Sequence, residues 1–406
     1  MNAPEKGRSG GLEYPLRPLF LVLVLLLVGR HIVLVLRTVV LTDPVDLSTY
    51  YVHARMLWEG ANPADAAALE EYARRLGLRA LRGLNPPTFY FLFLPAALLP
   101  WAAAKALWTL LSQAALAGIG WIAWREMTRR GLPRLESALG AAAFLAVFYP
   151  AKQATTLGQM DLLLGLAAAG MGLALARGRG AWAGVLALLM GWMKIQLGAV
   201  IVFLAWMGRM RRGLWATAIF GLVWLGVTAA AFGPGSVTGY LGFLRDHLGG
   251  GLNPDSVNYA LSGLLARAVQ PWTEPLFAAT LNAVLTAAIA LVTFWVLWAG
   301  RKRREAPWLE TGFLLLSVWM LSPLSEEHHL AWLAAPLLLT MTDPAVREGR
   351  LQAGLFLAAL LLIGVEHYPH SLWKGPGFWP ELIRSSKFFG PLVFWILAGR
   401  ALLRQR

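Results

Sequence analysis

Residues 43–63 begin Asp43-Pro-Val-Asp46-Leu-Ser-Thr-Tyr50-Tyr51-Val-His53 and follow directly on a long apolar run. An acid at the mouth of a membrane span is placed to take a proton from an arriving substrate. The same residues also suit helix capping, Asp43 ahead of Pro44 or Asp46 opening a Leu47–Trp58 helix, and local sequence does not choose between the roles. Lys194 interrupts an apolar stretch between Trp192 and Leu197, where an ammonium is costly unless paired or wet; it either serves a bound anion or snorkels to the interface. Glu327, His328 and His329 follow Pro323 at the opening of a later span, and imidazole there is suited to donating to an anion or orienting a hydroxyl. Adjacent helical residues point about 100° apart, which makes the two histidines poor joint ligands of one metal ion. No cofactor is expected and no metal requirement is indicated. Arg30 and His31, inside the first apolar run, are expected to face the bundle interior or water.

The elements that must position these groups are membrane helices. Of 406 residues 57% are hydrophobic and 14% charged, too few charges to clothe a water-facing surface. Apolar runs of about 17–25 residues recur, the length a helix needs to cross the hydrocarbon core. Period-two alternation in short segments, the mark of a β-barrel, is not found. The fold class is therefore an all-α polytopic integral membrane protein. With no cysteine, disulfides, thiol nucleophiles and thiolate zinc sites are excluded. The net charge of +14 is expected to reflect cytoplasmic loops rather than nucleic-acid binding.

Basic clusters at Arg125–Arg134, Arg177–Arg179, Arg209–Arg212, Arg301–Arg304, Arg347–Arg350 and Arg400–Arg406 predict cytoplasmic loops. Connections with few clustered charges alternate with them. About twelve crossings follow, in one membrane-embedded domain with a cytoplasmic tail at 1–16, both termini cytoplasmic, and long extracytoplasmic loops at 42–88 and 233–275. The first apolar run reads as a retained anchor. Residues 89–124 look like two apolar stretches where parity allows one crossing, so a short re-entrant or surface-lying piece is expected there. Within 64–82, Leu69, Tyr72 and Leu76 share a helical face and the arginines mark the others, which predicts an interfacial helix on lipid head groups. Tryptophans near span ends, among them Trp101, Trp272, Trp308, Trp373 and Trp379, read as an interfacial belt.

A set of motifs then falls in order: Asp46 with Tyr50 and Tyr51; Gly60 with Asn62-Pro63; Asn85-Pro86-Pro87-Thr88; Pro95, Pro100 and Trp108; Gly158-Gln159-Met160-Asp161; Gly191 with Lys194; and Ser322-Pro323 leading to Glu327-His328-His329. In this order they resemble glycosyltransferase family 87 of the GT-C superfamily. Ala64 and Glu326 stand where the family pattern more often has an aromatic. The resemblance implies a GT-C-type bundle that moves one sugar, typically mannose, from a polyprenyl-phosphate carrier to a hydroxyl of a lipid-linked or membrane-proximal acceptor. It also selects Asp46 over Asp43 as the base.

Inverting transfer needs one carboxylate base, and a phosphate leaving group departs already charge-stabilised, so cationic or polar donors complete the site. Lys194, His328, His329 and Arg267 are the expected phosphate holders, Arg267 through its planar fork, although an interfacial anchor would also be arginine. Tyr50, Tyr51, Asn85, Gln159 and Glu327 are expected to meet substrate, with capping as the alternative for Asn85 and Gln159. Asp46, Lys194 and His328 or His329 should then line one cavity, with Arg267 at its rim. A transporter or lipid flippase is the rival class, but the paired halves common in transporters are not evident.

Overall fold

The computed structural model describes residues 16–83, 85–208, 213–248, 252–255, 257–300, 306–343, 346, 349–366 and 378–404. Most of the amino-terminal tail, the basic runs 209–212 and 301–304, Arg347 and Trp373 lie outside these. Helices make up the fold, with no strand among the described residues: α1 (Leu16–Leu41), α2 (Val45–Trp58), α3 (Ala66–Arg75), α4 (Pro87–Ala97), α5 (Trp101–Arg129), α6 (Arg134–Val147), α7 (Tyr149–Leu157), α8 (Asp161–Ala176), α9 (Gly180–Met193), α10 (Ala199–Trp206), α11 (Leu214–Phe232), α12 (Pro234–Leu248), α13 (Leu261–Ala268), α14 (Pro275–Gly300), α15 (Pro307–Leu321), α16 (Ala334–Thr340), α17 (Arg350–Gly364), α18 (Phe378–Arg384) and α19 (Ser386–Arg404). Short 3-10 turns cover Ile195–Gly198, Gln270–Trp272 and Glu327–Leu333.

Among the described residues, five helices, α1, α5, α11, α14 and α19, are long and apolar enough to cross a bilayer; six further apolar stretches are shorter. The protein is accordingly a multi-pass membrane protein. In α4, 11 residues rise about 16 Å, half of a bilayer core, so the 89–124 region holds a short helix followed by one long one.

Small residues set the packing around α8. Gly165 and Gly172 lie seven apart on one face, where an added Cβ would meet the Ala331 carbonyl at 3.0 Å and the Trp308 ring at 2.6 Å. Close approach of this kind is how membrane helices gain packing contacts. It draws the Glu327–Leu333 turn against α8. Trp308, expected in the interfacial belt, is instead 1% exposed because Gly172 makes room for it.

One further expectation is corrected. Leu69, Tyr72 and Ala73 of α3 cover Val52 and Met56 of α2, so this stripe is spent on protein rather than on lipid. Asp65 caps α3 by accepting from the amides of Ala67 and Ala68 at 3.0 and 3.2 Å, and Gly77, at φ +66°, follows its end. In α1, His31 turns inward to Gln113 at 2.8 Å, and the Gln113 amide donates to Thr155 at 3.3 Å. Arg30, one residue earlier, is exposed on the outer side of the helix.

Candidate active site

Four interruptions of helical backbone converge on one place. Pro44 fixes the start of α2. Gly158, at φ +71°, ends α7 in the left-handed region, and an added Cβ there would meet the Cβ atoms of Leu47 and Pro44 at 2.6 and 2.9 Å. Lys194 is extended, and Gly191 lets the chain double back so that its missing Cβ would lie 2.9 Å from the Gly198 Cα. Residues 322–326 join α15 to the 3-10 turn. Irregular backbone at membrane depth is tolerated where it lines a cavity. The cavity here has a volume of about 450 Å³, and its walls include Asp46, Thr49, Tyr50, Arg82, Asn85, Gln159, Lys194, Ser322, Glu326, His328 and His329.

On one wall, the Tyr50 hydroxyl donates to the Gln159 side-chain oxygen at 2.5 Å. The Tyr50 ring stands edge-on to Phe89 at 4.7 Å, with Phe93 and Trp108 beyond, which locks α2 against α4 and α5. Asp46, one turn before Tyr50, caps nothing with its side chain and faces the cavity. Burial pushes its carboxyl up to about 6, against the Gln159 hydrogen bond and the Lys194 charge. Glu326 rises to about 7, mainly through burial.

On the opposite wall, Asp161 is fully buried and accepts from the Trp332 indole at 2.5 Å. The Lys194 ammonium lies 3.0 and 3.2 Å from its two oxygens. His329 accepts the Glu326 backbone amide on Nδ1 at 3.2 Å, so its neutral form carries the proton on Nε2. His328 is 1% exposed, and among the described residues neither ring nitrogen has a hydrogen-bond partner: Nε2 is 3.6 Å from Asp161 and Nδ1 is 3.5 Å from Glu326. Buried polar atoms left unpaired beside a cavity are set to receive a ligand.

Contrary to the expected divergence of adjacent histidines, Asp161, His328 and His329 bring ligand atoms within 4.8 Å of one another. The 3-10 turn and the approach of α8 produce this. A metal ion would have to displace Lys194, which already occupies both Asp161 oxygens.

The structure thus gathers Asp46, Tyr50, Asn85, Gln159, Lys194, His328 and His329, and separates three other expected residues from them. The Tyr51 hydroxyl donates to the Leu99 carbonyl at 2.8 Å, and its ring packs on Trp101. Glu327 is paired with Lys387. Arg267 donates to the carbonyls of Asp255 and Asn258 at 2.6 and 2.9 Å and to Ser385 at 3.2 Å, and its Nε lies 3.7 Å from a Glu381 oxygen, so its fork is held by protein groups. Asp43 sits outside the cavity, held by Trp101 and Lys105, and the Trp101 hydrogen bond lowers its pKa. Asp161, Trp332, Glu326 and Arg82 were not singled out as site residues by sequence reasoning. Asp161 stood within a motif, and Glu326 and Arg82 were each noted for another reason. Arg82 lines the cavity with no hydrogen-bond or ion-pair partner among the described residues.

The chain matches glycosyltransferase family 87 over residues 84–323, more than half its length, and belongs to that family. It is a membrane glycosyltransferase. The match includes Asn85, Gln159, Asp161 and Lys194; Asp46 lies before it, and Glu326 to His329 lie after it. No curated protein matches the chain.

Proposed function

We propose that the protein transfers one sugar, mannose by resemblance, from a polyprenyl-phosphate carrier to a hydroxyl of a lipid-linked or membrane-proximal acceptor, by inverting displacement at the extracytoplasmic face. The observation that carries this reading is one cavity holding a carboxylate of raised pKa opposite a group of cationic and unpaired donors. Asp46 takes the acceptor hydroxyl proton as that oxygen bonds to the anomeric carbon. The bond from this carbon to the phosphate oxygen breaks, and its electron pair leaves with the phosphate. Arg82 and Lys194, with His328 and His329 as hydrogen-bond donors, meet the phosphate charge. Tyr50, Gln159 and Asn85 orient sugar hydroxyls. Tyr51, Glu327 and Arg267 are left out, since their polar groups are spent on protein partners.

The reading treats 1–406 as one membrane-embedded domain with both termini cytoplasmic, in which the shorter apolar helices complete about twelve crossings as broken segments. It is tested with purified protein, a panel of polyprenyl-phosphate sugars and a membrane lipid extract. Asp46→Asn is expected to lower transfer by about 10²–10⁴-fold while the protein folds normally. Undiminished transfer would show that Asp46 is not the base. Wild type that carries substrate across vesicles without forming a glycoside would make the protein a transporter.

A further inference from the structure

A second cavity, of about 600 Å³, opens between α14 and α19 over α15. Its walls are apolar and include Trp295 and Val296 of α14, Phe313 of α15 and Trp395 of α19. The Trp395 ring is fixed: its indole donates to Ser317 at 2.8 Å, and it stacks on Phe313 at 5.3 Å. Gly399 keeps the floor close, since a Cβ there would lie 3.0 Å from the Phe313 ring.

At one end this apolar cleft meets Arg400 and Arg404, four apart on one face of α19 and both exposed. Arg400 has no hydrogen-bond or ion-pair partner among the described residues, and Arg404 has only a 3.3 Å hydrogen bond to Gln352. Among the described residues, no carboxylate lines the cleft. The sequence adds Arg301-Lys302-Arg303-Arg304 directly after α14 ends at Gly300.

We propose that this cleft binds one anionic phospholipid, with acyl chain along Trp295 and Trp395 and phosphate on Arg400 and Arg404. Basic pockets between membrane helices are suited to such head groups. The site is separate from the sugar-transfer cavity. Lys387, at the start of α19, pairs with Glu327, whose neighbours Glu326 and His328 line that cavity, and Arg400 and Arg404 follow 13 and 17 residues later, about 20–25 Å along the helix. A carrier whose phosphate reacts near Asp46 is not the occupant favoured here; a resident lipid of the other leaflet is.

The test uses full-length protein in vesicles of equimolar phosphatidylglycerol and phosphatidylcholine with matched chains, and native mass spectrometry counts the lipid kept after extraction. Wild type is expected to keep one phosphatidylglycerol in preference to phosphatidylcholine. Arg400→Gln/Arg404→Gln should weaken that retention by about 30-fold. Arg400→Lys/Arg404→Lys, which keeps the charge, should retain it and serves as the folding control. Equal retention of both lipids by wild type, or unchanged retention in the glutamine variant, would refute the site. Preferential uptake of polyprenyl phosphate over phosphatidylglycerol at this cleft would overturn the assignment to a phospholipid.

Discussion

Two buried ammonium–carboxylate pairs flank the Glu327–Leu333 turn, and only one borders the cavity. Lys387 on Glu327 is closed on every side: its ammonium also donates to the Val365 carbonyl at 2.7 Å and lies 5.4 Å from the Tyr149 ring, with Lys152 and Glu366 paired outside it at 2.6 Å. Lys194 on Asp161 is as deeply buried, with side chains 6% and 0% exposed, yet it faces about 450 Å³ of open space beside a histidine with both nitrogens unpaired. Buried charge alone therefore does not mark a site. Buried charge next to space and uncommitted donors does.

The largest expected difference between the pairs is in activity. Lys194→Gln is expected to reduce sugar transfer about 10²–10³-fold, the usual cost of losing one donor to developing charge. Because Lys194 lines the cavity and the Trp332 indole still donates to Asp161, a glutamine amide at 194 is expected to keep Asp161 hydrogen-bonded, and the variant should stay folded. Lys387→Met should behave in the opposite way. It strands Glu327 in a sealed environment and should cost about 3–5 kcal/mol, with transfer per folded molecule retained. Lys387→Met/Glu327→Gln should recover most of that loss, because no buried charge is then left unpaired. Thermal unfolding in detergent alongside the transfer assay measures both. If Lys387→Met abolished transfer in folded protein, the distinction drawn between the pairs would fail.

Sequence made one side of this comparison legible. Lys194 interrupts an apolar run, where a polar group must find a partner or a cavity, so burial physics pointed to it, while His328 and His329 stood out at the opening of a span. What the sequence hides is phase. Glu327 and His328 are neighbours, yet one faces Lys387 and the other the cavity. Arg267 looked available because its partners, the carbonyls of Asp255 and Asn258, exist only once the chain has folded. Asp161 was legible as part of a motif but not as the anchor of Lys194, a contact spanning 33 residues. The α3 stripe was read correctly as amphipathic, but sequence cannot say whether protein or lipid covers it. The first-loop acid and the helix-breaking glycines were visible; their convergence required the tertiary structure.

A smaller effect should appear in the pH profile. With Asp46 acting as base at a pKa of about 6, kcat/KM should fall about tenfold per pH unit below 6 and level off above it. Glu326, at about 7, is still mostly protonated where Asp46 titrates. Glu326→Gln should consequently leave the acid limb near 6 and remove any inflection near 7. Stability should run the other way. A carboxyl whose folded pKa exceeds its ordinary 3.8 favours the fold when protonated, so the Asp46 contribution is present below about pH 4 and lost as pH rises through 6. An acid limb unaffected by Asp46→Asn in residual activity would assign that limb elsewhere.

Gly158→Ala sharpens the comparison at the opposite wall without touching a charge. The new Cβ would meet Leu47 and Pro44 in a left-handed backbone position, at an expected cost of about 1–3 kcal/mol. Because Pro44 and Leu47 bracket Asp46, the variant should also lower kcat, whereas Gly131→Ala, at φ +89° with open space around it, should cost stability alone. Equal kinetic effects from the two glycines would remove Gly158 from the positioning of Asp46.

The smallest expected effect separates the two tyrosines of α2. Tyr51→Phe removes one hydrogen bond to the Leu99 carbonyl, outside the cavity, and should cost about 1 kcal/mol of stability with unchanged transfer. Tyr50→Phe frees the Gln159 oxygen inside the cavity. Gln159 would then be able to turn, and since it lies beside both Asp46 and the sugar-binding space, KM should rise while the fold holds. The two residues share a motif and a residue type and differ by one step on a helix. If Tyr51→Phe impaired transfer as strongly as Tyr50→Phe, the wall of the site would have to be extended to Leu99 and Trp101, and Asp43, which Trp101 holds, would return as a contender for the base.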